Sequence, residues 1–272
     1  MSQLTSKDGT SIAYEHTGDG PAVILVGGGL VDRSENAPLA PELAKHFTVY
    51  NYDRRGRGES GDTRPYTVER EIEDIDALVA VARGVETHGS VHLYGVSSGG
   101  GLVLEAAAVG LAVDKVAVYE VPYCIAGDTP QRAREYVDKL GPALVEGRRG
   151  DAIELFFRLV GSSDEEIAGI KDSPYWPGLE AIAHTLAYEA ACMANFHPPT
   201  DRLAKITQPT LVVTGEAGRD PHLGGLPVDF FDQAADAIAA SIPHAQRRTI
   251  EGQGHVADPK AVAPLLERFF TA

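Results

Sequence analysis

With 272 residues, 43% of them hydrophobic, the chain is long enough for one large α/β domain or for a domain carrying an insertion, and it can bury a substantial core. Its formal net charge of −15 repels phosphate backbones and anionic membrane surfaces, which argues against nucleic-acid and membrane partners. No basic segment leads into an apolar run at the start, no apolar stretch approaches a membrane span, and Cys124 and Cys192 lack CxxC or metal-ligand spacing, so the expectation is a cytoplasmic protein with reduced packing thiols.

In chain order, residues 11–16 read as a short strand with Ile12 and Tyr14 on one face and Ser11 and Glu15 on the other, as at a half-exposed sheet edge. A turn at 18–21 leads into residues 22–26, which are apolar throughout, as a parallel strand covered on both faces would be, and which run straight into Gly27-Gly28-Gly29. Residues 47–52 read as the next strand and 53–60 as a loop rich in charge and glycine. The arginines of that loop invite a phosphate-site reading, but the spacing matches no P-loop, and Arg and Asp here can satisfy each other and nearby backbone. From Val68 to Arg83, Ile72, Ile75, Leu78, Val79 and Ala82 recur at three- and four-residue steps and predict an amphipathic helix.

Residues 91–96 form an apolar run that ends in Gly95-Val96-Ser97-Ser98-Gly99, followed at once by helix-forming residues 102–108. This is the GxSxG pattern of a nucleophile elbow, in which a serine sits in a strained turn between strand and helix. The pentapeptide is common by chance; the strand before it and the helix after it make it specific. Residues 115–121 predict another buried strand, so strands and helices alternate as a parallel, doubly wound sheet requires. From about 123 to 205 the alternation stops, with helical segments near 131–145, 151–160 and 178–195 and no convincing strand. The chain thus divides into a core of 1–122 and 206–272 and a helical cap inserted at 123–205. The sheet resumes at 210–215, with a helix near 230–242, a strand at 247–250 and a last helix at 259–270; Gly252-Gln253-Gly254-His255 lies between the last two.

The order of these motifs resembles the α/β-hydrolase superfamily over nearly the whole chain. Four features carry the resemblance: the glycine turn after Val26, the loop Asp53-Arg54-Arg55-Gly56-Arg57-Gly58-Glu59-Ser60, the elbow around Ser97, and the late Gly254-His255 before a C-terminal helix. The resemblance implies a mostly parallel, doubly wound sheet with an inserted helical cap, a small-molecule substrate, and no metal or organic cofactor; a homo-oligomer is compatible with it. A serine hydroxyl needs a base, and His255 stands where the family places one. Of the nine histidines, His92, His184, His222 and His244 read as surface or satisfied core residues, and His197 could line the pocket.

Two residues compete for the acid that would orient His255. Asp220 follows the strand at 210–215, the common family location, although the usual spacing falls on Gly218. Glu120 ends the strand after the elbow helix, a location used in some branches, and an acidic residue at the end of a buried strand otherwise needs an explanation. The resemblance assigns the oxyanion donors to the backbone N–H groups of Ser98 and Gly29. Many relatives have His-Gly where this chain has Gly27-Gly28; backbone donors survive that change, and loop rigidity need not. A serine in place of aspartate implies ester or lactone hydrolysis through an acyl-enzyme. C–C bond hydrolysis, perhydrolysis, a cyclase-like role and a non-catalytic small-molecule receptor are the alternatives on the same scaffold. Tyr136, Phe156, Phe157, Tyr175, Trp176, Tyr188, Met193 and Phe196 suggest an apolar pocket wall under a lid, with many of them serving as lid core.

Overall fold

The computed structural model describes residues 1–85, 89–216 and 223–272. In chain order its main elements are β1 (Ser2–Thr5), β2 (Ser11–Thr17), β3 (Ala22–Val26), α1 (Ala40–Leu43), β4 (Thr48–Tyr52), α2 (Val68–Val85), β5 (Val91–Val96), α3 (Ser98–Ala108) and β6 (Lys115–Tyr119). Next come α4 (Thr129–Val145), α5 (Arg149–Leu159), α6 (Asp164–Lys171), α7 (Trp176–Ile182), α8 (Leu186–Cys192) and α9 (Thr200–Leu203), and then β7 (Thr210–Thr214), α10 (Phe230–Ser241), β8 (Ala245–Thr249) and α11 (Pro259–Thr271). The eight strands form one sheet in the order β1-β2-β4-β3-β5-β6-β7-β8. The pairs β1–β2 and β2–β4 are antiparallel and the remaining five are parallel.

The apolar run of β3 is buried at every position because the sheet is covered on both faces. Its residues alternate between two cores. Ile24 and Val26 pack with Leu93, Leu102 and Val118 on one side, and Val23 and Leu25 pack with Tyr94, Leu211, Val262 and Leu266 on the other. Helices α2, α3 and α10 cover the first side, and α1 and α11 the second. None of the helices is long and apolar enough to cross a membrane, among the described residues.

Three local expectations change. The strand at 11–17 is not a sheet edge, because β1 pairs outside it, and Ala13 is therefore buried along with Ile12 and Tyr14. Ser2–Thr5 is short and polar, so it carried no strand signal. The edge on that side is β1, and the opposite edge is β8, which starts at Ala245 and has only half-buried and exposed positions. The helix expected over 178–195 is broken. A 3₁₀ turn at Ala183–Thr185 separates α7 from α8, Thr185 Oγ1 donates to Ile182 O at 2.8 Å, and Ala194, Asn195 and Phe196 all take positive φ. Helix α6, unanticipated, begins in a capping box in which Ser163 and Glu166 satisfy each other's backbone N–H.

Candidate active site

Ser97 stands between β5 and α3 at φ 53°, ψ −130°, a conformation that costs a non-glycine residue about 1–3 kcal/mol. Its neighbours explain how the turn closes. A Cβ on Gly99 would lie 2.3 Å from Gly27 O and 2.4 Å from Val26 O, and one on Gly95 would lie 2.5 Å from Gly99 O. Both contacts are with backbone, so no side chain can swing aside, and only glycine lets α3 start this close to β3. Ser97 N–H donates to Tyr119 O at 2.9 Å, fixing the turn to the next strand.

Glu120 follows β6 at φ 47° and is buried. Its Oε1 accepts from Gly215 N–H at 2.8 Å, and its Oε2 lies 2.8 Å from His255 Nδ1, where an ionised carboxylate, which can only accept, favours the tautomer with its N–H on Nδ1. The loop carrying His255 is held against the end of β7. Tyr119 OH donates to Gly254 O at 2.6 Å, Glu216 N–H donates to Gln253 O at 2.7 Å, and a Cβ on Gly215 would collide with Gln253 O at 2.4 Å. Phe231 stacks on the imidazole with ring centroids 4.9 Å apart. Asp220, the other acid the sequence offers, lies outside the described residues, as does His222.

Ser97, Ser98, Gly29 and His255 line one pocket, with an empty volume of about 630 Å³ open to solvent. Its walls are mostly apolar: Phe156, Leu159, Val160 and Phe196 come from the helical segment between β6 and β7, and Leu223, Leu226, Phe230 and Phe231 from the stretch leading into α10. The N–H groups of Gly29 and Ser98 have no partner among the described residues. Of the apolar and aromatic residues the sequence suggested for this wall, Phe156 and Phe196 reach it, Tyr136 and Met193 are packed in the core, and Tyr175 is exposed. His197 does not line it. The wall from Leu223 to Phe231 was missed, and so was Cys124, whose thiol burial pushes up to about 11. Both cysteines are free. Among the described residues no cluster of His, Cys, Asp or Glu could hold a metal ion.

The glycine turn after β3 is held from two sides. Glu35 Oε2 accepts from Gly28 N–H at 2.6 Å, and although Glu35 as a residue is exposed, crowding at its carboxyl raises its pKa. From below, Arg54 Nη1 donates to Gly27 O at 3.1 Å and Gly28 O at 3.3 Å. The same guanidinium donates to both oxygens of Glu71 at 2.8 and 3.0 Å through Nε and Nη2, while Nη1 shares its two N–H groups between these carbonyls and the two oxygens of Glu189 on α8 at 3.2 and 3.1 Å. Burial opposes the charge on Arg54, and Glu189 and Glu71 outweigh it, holding its pKa well above the usual arginine value. Arg57 donates to Glu189 as well, and Arg55 pairs with Asp74 and Asp8. Arg54, Arg55 and Arg57 are thus buried and paired with carboxylates from other elements rather than presented at the surface as a phosphate site would need, although Nε and Nη1 of Arg57 have no partner among the described residues, and Asp53 accepts from Arg33.

The description "Alpha/beta hydrolase family" belongs to the family model that matches residues 22–265. The chain belongs to that family. It is an enzyme of the α/β-hydrolase fold. It is similar to an alpha/beta hydrolase of known structure from Sphaerobacter thermophilus, with 44% identity, a TM-score of 0.84, and coverage of 99% of this chain and 100% of that one. A pimeloyl-[acyl-carrier protein] methyl ester esterase from Xanthomonas campestris is 29% identical over 269 residues, covering 94% of this chain and 97% of that one. The structure of an enol-lactonase from Burkholderia xenovorans, at 21% identity and a TM-score of 0.66, covers all of both chains and shares the fold.

Proposed function

We propose that this hydrolase cleaves an ester or lactone of a small, largely apolar molecule through an acyl-enzyme, with Ser97 as nucleophile, His255 as base and Glu120 as the acid that orients it. The carrying observation is the convergence of His255 Nδ1 on Glu120 Oε2 at 2.8 Å with Ser97 and two unpartnered N–H groups on one apolar pocket. The esterase similar to this chain over most of its length supports the same chemistry.

In this reading Ser97 Oγ attacks the acyl carbon while His255 takes its proton, and Glu120 holds the imidazole in the tautomer that leaves the other ring nitrogen free to accept. The carbonyl oxygen gathers negative charge between the N–H groups of Gly29 and Ser98, which have no other partner among the described residues. Collapse expels the alcohol, which receives the proton from His255. Water, activated by the same histidine, then attacks the acyl-serine, and the second collapse releases the acid and restores Ser97. The helical segment at 123–205 acts as a cap, since Phe156, Leu159, Val160 and Phe196 from it close the pocket over Ser97. The mostly apolar lining favours apolar acyl chains.

A fluorophosphonate should label the folded protein in a one-to-one ratio, and Ser97→Ala should abolish both labelling and turnover of chromogenic esters. Folded protein that binds such esters without turnover or labelling would point instead to a small-molecule receptor.

A further inference from the structure

Three consecutive glycines follow β3, and glycine has no side chain to fix the plane of the peptide on either side of it. The Gly28–Gly29 peptide carries one of the two oxyanion donors proposed above. In a trans peptide the C=O and N–H point in opposite directions, so whatever holds Gly28 O decides where Gly29 N–H points. Arg54, which is not among the residues lining the pocket, donates from Nη1 to Gly28 O at 3.3 Å, and Gly29 does line the pocket. The preceding peptide is held at both ends, with Arg54 on Gly27 O and Glu35 on Gly28 N–H.

We propose that Arg54 is a positioning residue for ester hydrolysis: anchored by Glu71 and by Glu189 of α8, its guanidinium holds the Gly28–Gly29 peptide so that Gly29 N–H faces the acyl oxygen. The proposal rests on the reading of Ser97 as nucleophile. Its second element is Glu189, which the helical segment contributes and which packs its stem against Gly29, its Cγ 3.5 Å from where a Cβ on that glycine would stand. Bare, that carboxylate would repel a developing oxyanion. Shared between Arg54 and Arg57, it anchors the clamp instead. A donor hydrogen-bonded to Gly28 O also polarises the peptide and strengthens Gly29 N–H as a donor. The triple glycine thereby gains a rigidity that its own residues do not supply.

The test uses p-nitrophenyl butyrate as substrate and the trifluoromethyl ketone with the same propyl chain, which adds Ser97 to form a tetrahedral oxyanion. Arg54→Met/Glu71→Gln removes one positive and one negative charge, leaving Arg57 with Glu189, so the buried cluster stays neutral. The expected result is a fall in kcat/KM of about 10- to 100-fold, matched by an equal rise in the ketone's Ki, with KM and inhibition by butyrate within about twofold of wild type. Arg54→Lys keeps the charge but cannot reach two carbonyls and two carboxylates at once, so it should show the same split at smaller size and carries the test if the double variant does not fold. A folded variant with kcat/KM within about threefold of wild type overturns the proposal. So does a loss that appears equally in KM and butyrate binding, which is what general loosening of the site would give. Wild-type protein that neither turns over the ester nor is labelled at Ser97 sinks the hydrolase reading itself, a separate failure.

Discussion

Glu120 uses its two oxygens differently, one to accept from Gly215 N–H and the other to meet His255. The backbone hydrogen bond fixes the carboxylate without consuming the oxygen that faces the imidazole. Glu120→Gln is therefore expected to lower kcat/KM by about 10²- to 10⁴-fold, because an amide cannot hold the same histidine tautomer, while Asp220→Asn stays within a few-fold of wild type. Steady-state kinetics on one ester decide it, and the opposite ranking would transfer the role to Asp220. At this scale the sequence was informative where a residue type is unusual for its surroundings. A carboxylate ending a buried strand and a serine bracketed by glycines both stand out. Arg54 did not, because its partners Glu71 and Glu189 lie 17 and 135 positions away and no local spacing links them.

At the scale of elements, the junction between β5 and α3 is where sequence and packing agree most tightly. Adding a methyl at Gly99 would drive it into the carbonyls that end β3, so Gly99→Ala should destabilise the protein by about 3 kcal/mol or more in chemical denaturation. Gly141 inside α4 is the matched control, since a Cβ there meets nothing within 4 Å and Gly141→Ala should be neutral or stabilise by up to about 1 kcal/mol. The alternation of strand and helix was legible because buried parallel strands are apolar throughout and their covering helices repeat at 3.6 residues. The helical segment was legible only as helical. Its break between α7 and α8 has no glycine or proline to announce it, since Thr185 makes it through a side-chain hydrogen bond to Ile182 O.

On the scale of the whole molecule, acidification has two opposing effects. Protonating surplus carboxylates relieves the repulsion implied by a net charge of −15. His92 works the other way. It is buried on β5, stacked on Phe270 of α11 at 4.8 Å, and desolvation lowers its pKa to about 4. A histidine whose folded pKa lies below its unfolded value binds fewer protons when folded, so its contribution is intact above the unfolded value near 6.5 and is lost as pH falls toward 4. Between pH 7 and pH 5 that loss is about 2 kcal/mol. His92→Phe keeps a ring against Phe270 and removes the titration, so its stability relative to wild type should improve by about that amount over the same interval, as read from denaturation at both pH values. The helical segment is tied to the sheet domain by Glu189 with Arg54, Tyr188 with Asp62 and Arg202 with Glu105, bonds spread along its length.

In the proposed reading His255 is served by Glu120 from the end of β6, while Leu223 and Leu226, beyond β7, stand on the pocket wall. That reading places the groups that would move protons and the leucines that would meet the acyl chain on separate segments, and exchanging these two leucines for smaller or bulkier side chains then offers a way to retune acyl preference without touching Ser97, His255 or Glu120.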